Sequence, residues 1–167
     1  MRGDLNKALN KVVEEAALAA AALGFRRQGL TLRALGQECA GLIEFQKSTK
    51  SSADRILFTV NLAVVCKALL ESDRPALEKA KSSEAHLRLR IGMLVPERTD
   101  KWWEIDDRTD VDSLAKEVST LIAGDAAPYV ASYLEPAKLI ALWESGKSPG
   151  LTETQRLRYL ERLRLRQ

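Results

Sequence analysis

The chain has few of the residues that build metal and cofactor sites, with only two cysteines and one histidine in 167 residues. These are too few for a zinc site of four cysteine and histidine ligands, and Cys39 and Cys66 are not spaced as a CxxC pair. We therefore expect no structural metal. Both cysteines lie in strand-like segments, where a reducing compartment favours buried free thiols. A disulfide between them stays open as the alternative.

Long apolar runs and the common enzyme motifs are also missing. No segment approaches the roughly 20 apolar residues that cross a bilayer, and the N-terminal residues lead into a charged helix without the apolar region of a signal peptide. We therefore expect a cytoplasmic protein. The sequence contains no GxGxxG and no GxxxxGK[ST], and its GKSPG string at 146–150 falls in the predicted linker rather than on the strand-to-helix turn that carries a hydrolase nucleophile. We expect no nucleotide cofactor, and no motif identifies a hydrolase.

The composition is that of a globular domain, at 46% hydrophobic and 29% charged residues. The net charge of +3 is confined to residues 151–167, where five arginines stand against two glutamates. Residues 1–150 therefore sum to zero, and this larger part has no electrostatic bias toward nucleic acid. Only the C-terminal segment is basic.

Hydrophobic periodicity predicts a helix, a group of strands and then further helices. An apolar stripe marks a helix over 4–23. Strands are predicted over 25–34, 38–48, 55–66, 86–91 and 101–105, with an excursion over 67–84 that is broken at Pro75. Gly36 and Gln37 read as a two-residue hairpin turn that would set Ala34 opposite Cys39. From Asp110 onward the pattern is helical.

This order predicts an α+β fold, a four- to five-stranded mainly antiparallel sheet with helices packed on one face and a C-terminal helical extension. We divide the chain into a single α+β domain over 1–145, a linker over 146–151 and a basic amphipathic helix over 152–167. Thr152 and Gln155 form a capping-box sequence at the start of that last helix.

The stretch DKWWEI, residues 100–105, sets two tryptophans side by side. Neighbouring residues of a strand point to opposite faces, so Trp103 is assigned to the core with Ile105, and Trp102 to a polar face with Glu104. The same alternation gathers other polar side chains on that face. We predict a binding surface formed by Gln46, Asn61, His86, Arg88, Arg90 and Trp102.

Five short strings, in order, resemble one family. They are Leu23-Gly24-Phe25, Phe45-Gln46-Lys47-Ser48, Phe58-Thr59-Val60-Asn61-Leu62, Arg90-Ile91-Gly92 and Trp102-Trp103. Together they resemble the mainly bacterial domain of unknown function 4304, over roughly residues 5–134. The resemblance implies a compact α+β domain, and it supplies no catalytic residue.

We expect a non-enzymatic binding module that uses the polar sheet face, with a protein as its partner. One alternative is an enzyme acting on an anionic or phosphorylated substrate, with arginines as clamps and His86 or Glu44 as the acid–base group. A second is nucleic-acid contact through the arginine-rich C-terminal helix. Self-association also stays open. The aspartates at 106, 107, 110 and 112 are explained by helix capping rather than by a metal site, because their spacing departs from a calcium-binding loop.

Overall fold

The structure is a computed structural model and describes residues 2–71 and 76–166. The helices are α1 (Arg2–Ala20), α2 (Val111–Leu121), α3 (Ala127–Ser132), α4 (Pro136–Glu144) and α5 (Glu153–Leu165). The strands are β1 (Arg26–Gln28), β2 (Thr31–Leu35), β3 (Cys39–Lys47), β4 (Ile56–Cys66), β5 (Leu87–Arg90) and β6 (Trp103–Ile105). A π-helical turn, Ile122–Ala126, joins α2 to α3.

The described strands form one antiparallel sheet in the order β1-β2-β3-β4-β5, with β6 also paired to β4. The long strand β4 has β3 along one side. Its other side is shared by β6 at the start and β5 toward the end. An antiparallel sheet with helices that follow rather than alternate with the strands is the predicted α+β class.

The single strand predicted over 25–34 is wrong, because the chain folds back within it. β1 and β2 form a hairpin in which Gln28 pairs with Thr31, so that Gly29 and Leu30 make a two-residue turn. Gly29 has φ of +62°, a left-handed conformation that glycine adopts without a steric penalty. The described sheet therefore has six strands, where four or five were expected.

The predicted register between β2 and β3 is also wrong, by two residues. Ala34 pairs with Gly41 instead of Cys39, and the last pair is Leu35 with Ala40. Four residues, 36–39, therefore lie between the last paired residues instead of two, and the Gly36 N–H donates to the Cys39 carbonyl at 2.8 Å within this turn. A shift of two residues keeps every side chain on its face. The predicted apolar and polar faces consequently survive the error.

The main core lies on the apolar sheet face, under α1 and α2. The stripe predicted for the first helix is buried there, including Leu9, Val12 and Ala16. The opposite face carries a smaller apolar cluster at one end, where Leu77 and Ala80 pack against residues of β3 and β4. This smaller cluster covers only part of the polar face, and the end that carries Gln46 stays accessible. The break predicted at Pro75 lies outside the described residues.

The C-terminal helices pack on the main core. Trp143 of α4 and Leu160 and Leu163 of α5 are buried in it. The capping box predicted for α5 is confirmed, since Thr152 and Gln155 exchange side-chain and backbone hydrogen bonds. No helix of the described residues is both long and apolar enough to cross a membrane.

Candidate functional site

A row of polar residues runs across the middle of the sheet. Strand pairing sets Thr31 opposite Glu44, Glu44 opposite Asn61, and Asn61 opposite Arg90. Residues that are directly opposite in an antiparallel sheet hold their side chains about 5 Å apart on the same face. Register alone therefore brings together Asn61 and Arg90, two of the residues predicted for the binding surface.

Hydrogen bonds fix the amides of this row. The Asn61 Nδ2 group donates to Glu44 Oε1 at 3.2 Å and to Gln46 Oε1 at 2.6 Å. Glu44 also accepts a hydrogen bond from the Ser82 hydroxyl at 2.8 Å. Within the described part of the chain, the Gln46 amide nitrogen and the Asn61 carbonyl oxygen make no hydrogen bond. One donor and one acceptor in fixed positions are thus left for another molecule.

Trp102 stands beside this row and is 37% exposed. The Arg90 guanidinium carbon lies 5.2 Å from the centre of its ring, a cation–π contact. Arg90 also pairs with Asp100 at 3.1 Å. The preceding backbone is held in place because the Thr59 hydroxyl donates to the Lys101 carbonyl at 2.6 Å. The aromatic face is therefore presented at the surface by a fixed backbone and a stacked arginine.

Trp103 has the opposite environment. It is 6% exposed and stacks on Phe58 with ring centres 5.4 Å apart. Its indole N–H donates to Glu117 of α2 at 3.1 Å. The predicted division of the doublet, with Trp103 in the core and Trp102 on the polar side, is confirmed by this burial.

His86 does not share that surface, contrary to the sequence prediction. The strand β5 begins only at Leu87, so the alternation that was extended to His86 does not hold there. Its ring is 4% exposed, meets Tyr159 of α5 edge-on at 5.1 Å, and accepts the Cys66 N–H at Nδ1 at 3.0 Å. Burial lowers the pKa of His86 to about 4, with the Leu69 backbone hydrogen bond opposing that shift.

Arg88 is exposed but belongs to a different depression. With His86, Gly150 and Tyr159 it lines a cleft of about 430 Å³ between β5 and the start of α5. His86 bonds to β4 at Cys66, whereas the backbone beside Trp102 bonds to β4 at Thr59. Seven residues of strand separate these points, about 23 Å. Among the described residues, His86 and Trp102 therefore do not lie in one cleft.

The aspartates after β6 make local hydrogen bonds. Asp110 caps α2 by accepting the Ser113 N–H, and Asp106 accepts from the Arg108 N–H and the Thr109 hydroxyl. Backbone hydrogen bonds, from Arg108 and Ser113 respectively, are the largest causes that lower the pKa of both carboxyls. Among the described residues, no group of three histidine, cysteine or acidic side chains could hold a metal ion. The capping interpretation is confirmed for Asp110.

The chain matches one known protein family. Residues 16–132 match the domain of unknown function DUF4304, which is more than two thirds of the 167 residues. The chain belongs to the DUF4304 family. The DUF4304 region contains all six described strands together with α2 and α3, whereas α4 and α5 lie beyond it. Searches of curated proteins and of solved structures found no match.

The DUF4304 region also holds contacts that sequence reasoning missed. Asp100 is the ionic partner of Arg90, and Ser82 is the partner of Glu44. Arg33 is buried on the polar side, where it donates to the Gln28 side chain and to the Leu77 carbonyl, both at 2.8 Å. These partners come from loops and from the excursion. Strand alternation carries no signal for them.

Gly92 of the DUF4304 region sets the position of the loop that carries Trp102. A Cβ atom at Gly92 would lie 2.0 Å from the Thr99 carbonyl oxygen and 2.9 Å from the Lys101 nitrogen, both backbone atoms. We expect Gly92→Ala to lower the free energy of unfolding by about 2 kcal/mol, because the loop must move to accept the methyl group. Urea unfolding measures this change.

Gly124→Ala is the matched control for Gly92→Ala. A Cβ at Gly124 meets nothing within 4 Å, and the residue lies in the π-helical turn. Alanine there should be neutral or stabilise by up to about 1 kcal/mol, through its helix propensity. Equal effects of the two substitutions would show that the contact between Gly92 and Thr99 does not constrain the loop.

Proposed function

We propose that this DUF4304 protein is a non-enzymatic recognition module that binds a partner protein through the open end of its polar sheet face. The contact surface is centred on Trp102 and Arg90 and extends to Gln46 and Asn61. The single observation that carries the proposal is the exposed Trp102 ring stacked against the Arg90 guanidinium, at the end of the polar face that the smaller apolar cluster of the described residues leaves accessible.

The energetics of protein interfaces favour this assignment. Tryptophan and arginine, together with tyrosine, are the residues that most often dominate binding energy at interfaces. Exposing a tryptophan to water is unfavourable by itself. Here its neighbour Trp103 supplies the core contact, so Trp102 is not needed for packing. A partner that covers Trp102 would recover that hydrophobic free energy.

The shape of the surface favours a protein over a small molecule. Sites for small ligands are concave and enclose most of the ligand. Five clefts among the described residues have volumes of about 260 to 620 Å³, and none of them is lined by Trp102, Arg90, Gln46 or Asn61. They form an open patch on a sheet, which suits the flat surface of another protein.

The arginines of α5 give less support to nucleic-acid binding. Arg156 pairs with Glu153 and donates to the Trp143 carbonyl, and Arg164 pairs with Glu144. Arg162 donates to the carbonyl of Ala68 at 3.2 Å. Three of the five guanidinium groups in this segment are thus occupied within the chain. A site for phosphate groups needs cations that are free to bind them.

We place this activity in the bacterial cytoplasm. The setting is supported by the resemblance to a mainly bacterial family and by the buried free thiols of Cys39 and Cys66, which suit a reducing compartment. A second copy of the chain is one form that the partner protein could take.

Co-purification with matched variants tests the proposal. Tagged wild-type protein, Trp102→Ala, Arg90→Ala and Leu18→Ala are recovered from the cells that produce the protein, and bound proteins are quantified. Leu18 is a suitable control because it is also a large exposed apolar residue, at 69% exposure, but lies on α1. We expect one partner whose recovery falls about tenfold with Trp102→Ala and Arg90→Ala, and is unchanged with Leu18→Ala. Recovery of the same proteins in the same amounts with all four chains would contradict the proposal.

A further inference from the structure

Cys39 and Cys66 stand directly opposite each other where β3 begins and β4 ends. Both are free thiols, and neither is measurably exposed. The two cysteines are neighbours in the core because the pairing of β3 with β4 sets them side by side. They share one cross-strand pair at the end of the two longest described strands.

The hydrogen bonding around this pair fixes its geometry. The next pair along the ladder is Lys67 with Glu38, in which the Lys67 N–H donates to the Glu38 carbonyl at 2.8 Å. Hydrogen-bonded and non-hydrogen-bonded pairs alternate in an antiparallel ladder, so Cys39 and Cys66 form a non-hydrogen-bonded pair. The Cys66 N–H agrees with this, because it points away from β3 and donates to His86 Nδ1.

Non-hydrogen-bonded pairs are the closer of the two kinds. Their Cα atoms are about 4.5 Å apart, inside the range of about 4.4 to 6.8 Å that a disulfide spans. The two side chains point to the same face, toward the main core. A bond between the two sulfurs can therefore form without moving either strand or changing the register.

The two thiols also interact before any bond forms. The Cys39 thiol donates a hydrogen bond to the Cys66 sulfur, which is the largest cause that lowers the pKa of Cys66. The same hydrogen bond, together with burial, raises the pKa of Cys39. The two sulfurs are therefore in direct contact, and either one can act as the nucleophile toward an oxidant.

We propose that Cys39 and Cys66 are a redox modification site, a dithiol that closes to an intramolecular disulfide when hydrogen peroxide oxidises it. The thiolate of one cysteine attacks a peroxide oxygen, the O–O bond breaks, and water leaves after the departing oxygen takes a proton. The sulfur of the other cysteine then attacks the sulfur of the sulfenic acid so formed, the S–O bond breaks, and a second water leaves. Two thiols lose two protons and two electrons, and one hydrogen peroxide becomes two waters.

This site is independent of the proposed recognition surface. Cys66 lies seven residues along β4 from Thr59, about 23 Å from the backbone that carries Trp102. The disulfide would tie β3 to β4 at the opposite end of the sheet. Closure of the loop from residue 39 to residue 66 restricts the unfolded chain, so we expect the oxidised protein to melt about 10 °C higher than the reduced protein.

Refolding in a redox buffer tests the site, because both sulfurs are accessible to the oxidant while the chain is unfolded. The reduced protein is unfolded and then refolded in about 1 mM each of reduced and oxidised glutathione, a disulfide oxidant that becomes two thiols. We expect more than half of the chains to lose two hydrogen atoms in intact mass and to melt higher by the stated amount. The single variants Cys39→Ser and Cys66→Ser should show glutathione adducts at most.

Three results would overturn the proposal. Refolded wild-type protein that stays reduced, or that carries only glutathione adducts, would show that the native pair does not favour the bond. A disulfide that lowers the melting temperature would show that the paired strands cannot hold it. Hydrogen peroxide treatment of the folded protein should also remove two hydrogen atoms. Addition of oxygen atoms without that loss would show that hydrogen peroxide does not form the disulfide.

Discussion

Replacing Trp103 with alanine is expected to lower the free energy of unfolding by about 4 kcal/mol, because it empties a buried site between Phe58 and α2. The same change at Trp102 should cost less than about 1 kcal/mol, since that ring is exposed and loses mainly its contact with Arg90. Chemical denaturation of the two variants and the wild type measures both values.

The two tryptophans are adjacent in sequence, so each is the control for the other. Both substitutions remove the same atoms from neighbouring positions at the start of β6. A difference of about 3 kcal/mol between them would therefore reflect environment alone. Similar losses for the two variants would show that Trp102 is part of the core, and would remove it from the recognition surface.

Acid is expected to destabilise the protein through His86. Its pKa is lowered to about 4 in the folded protein from an ordinary value of 6.5, chiefly by burial, with Arg162 lowering it further and Glu84 opposing. The folded state therefore binds fewer protons than the unfolded state between these two pH values. Stability from this residue is fully present above pH 6.5 and falls as the pH drops toward 4, by about 3 kcal/mol in total.

The measurement compares the wild type with His86→Gln across this pH range. Glutamine can still accept the Cys66 N–H through its side-chain oxygen, but it does not titrate. We expect a lower overall stability for His86→Gln and a flatter dependence on pH between 6.5 and 4. Parallel curves for the two proteins would show that His86 is not held neutral by its surroundings.

The tryptophan doublet illustrates what this sequence predicts well. The alternation of a strand is a local property, so it separated Trp102 from Trp103 without any knowledge of the register. The same argument placed Asn61 and Arg90 on one face, and a two-residue register error between β2 and β3 did not alter that result. Local periodicity also gave the helix α1 and the cap of α5.

The errors come from contacts between distant parts of the chain. His86 carries no sequence signal that α5, more than 60 residues later, will bury it against Tyr159. The hairpin inside 25–34 depends on a turn at Gly29 that strand propensity alone does not reveal. Asp100 and Ser82 act through loops whose paths are set by packing. Such partners become visible only when the fold brings them together.

Site-specific cross-linking tests the recognition surface most directly. A photoreactive phenylalanine analogue replaces Trp102 in one variant and Leu18 in another, and both are irradiated in the cells that produce the protein. The account predicts a discrete covalent adduct with one partner protein from position 102, which is reduced when Arg90→Ala is added, and no such adduct from position 18. Equal labelling from both positions, or none from position 102, would contradict it.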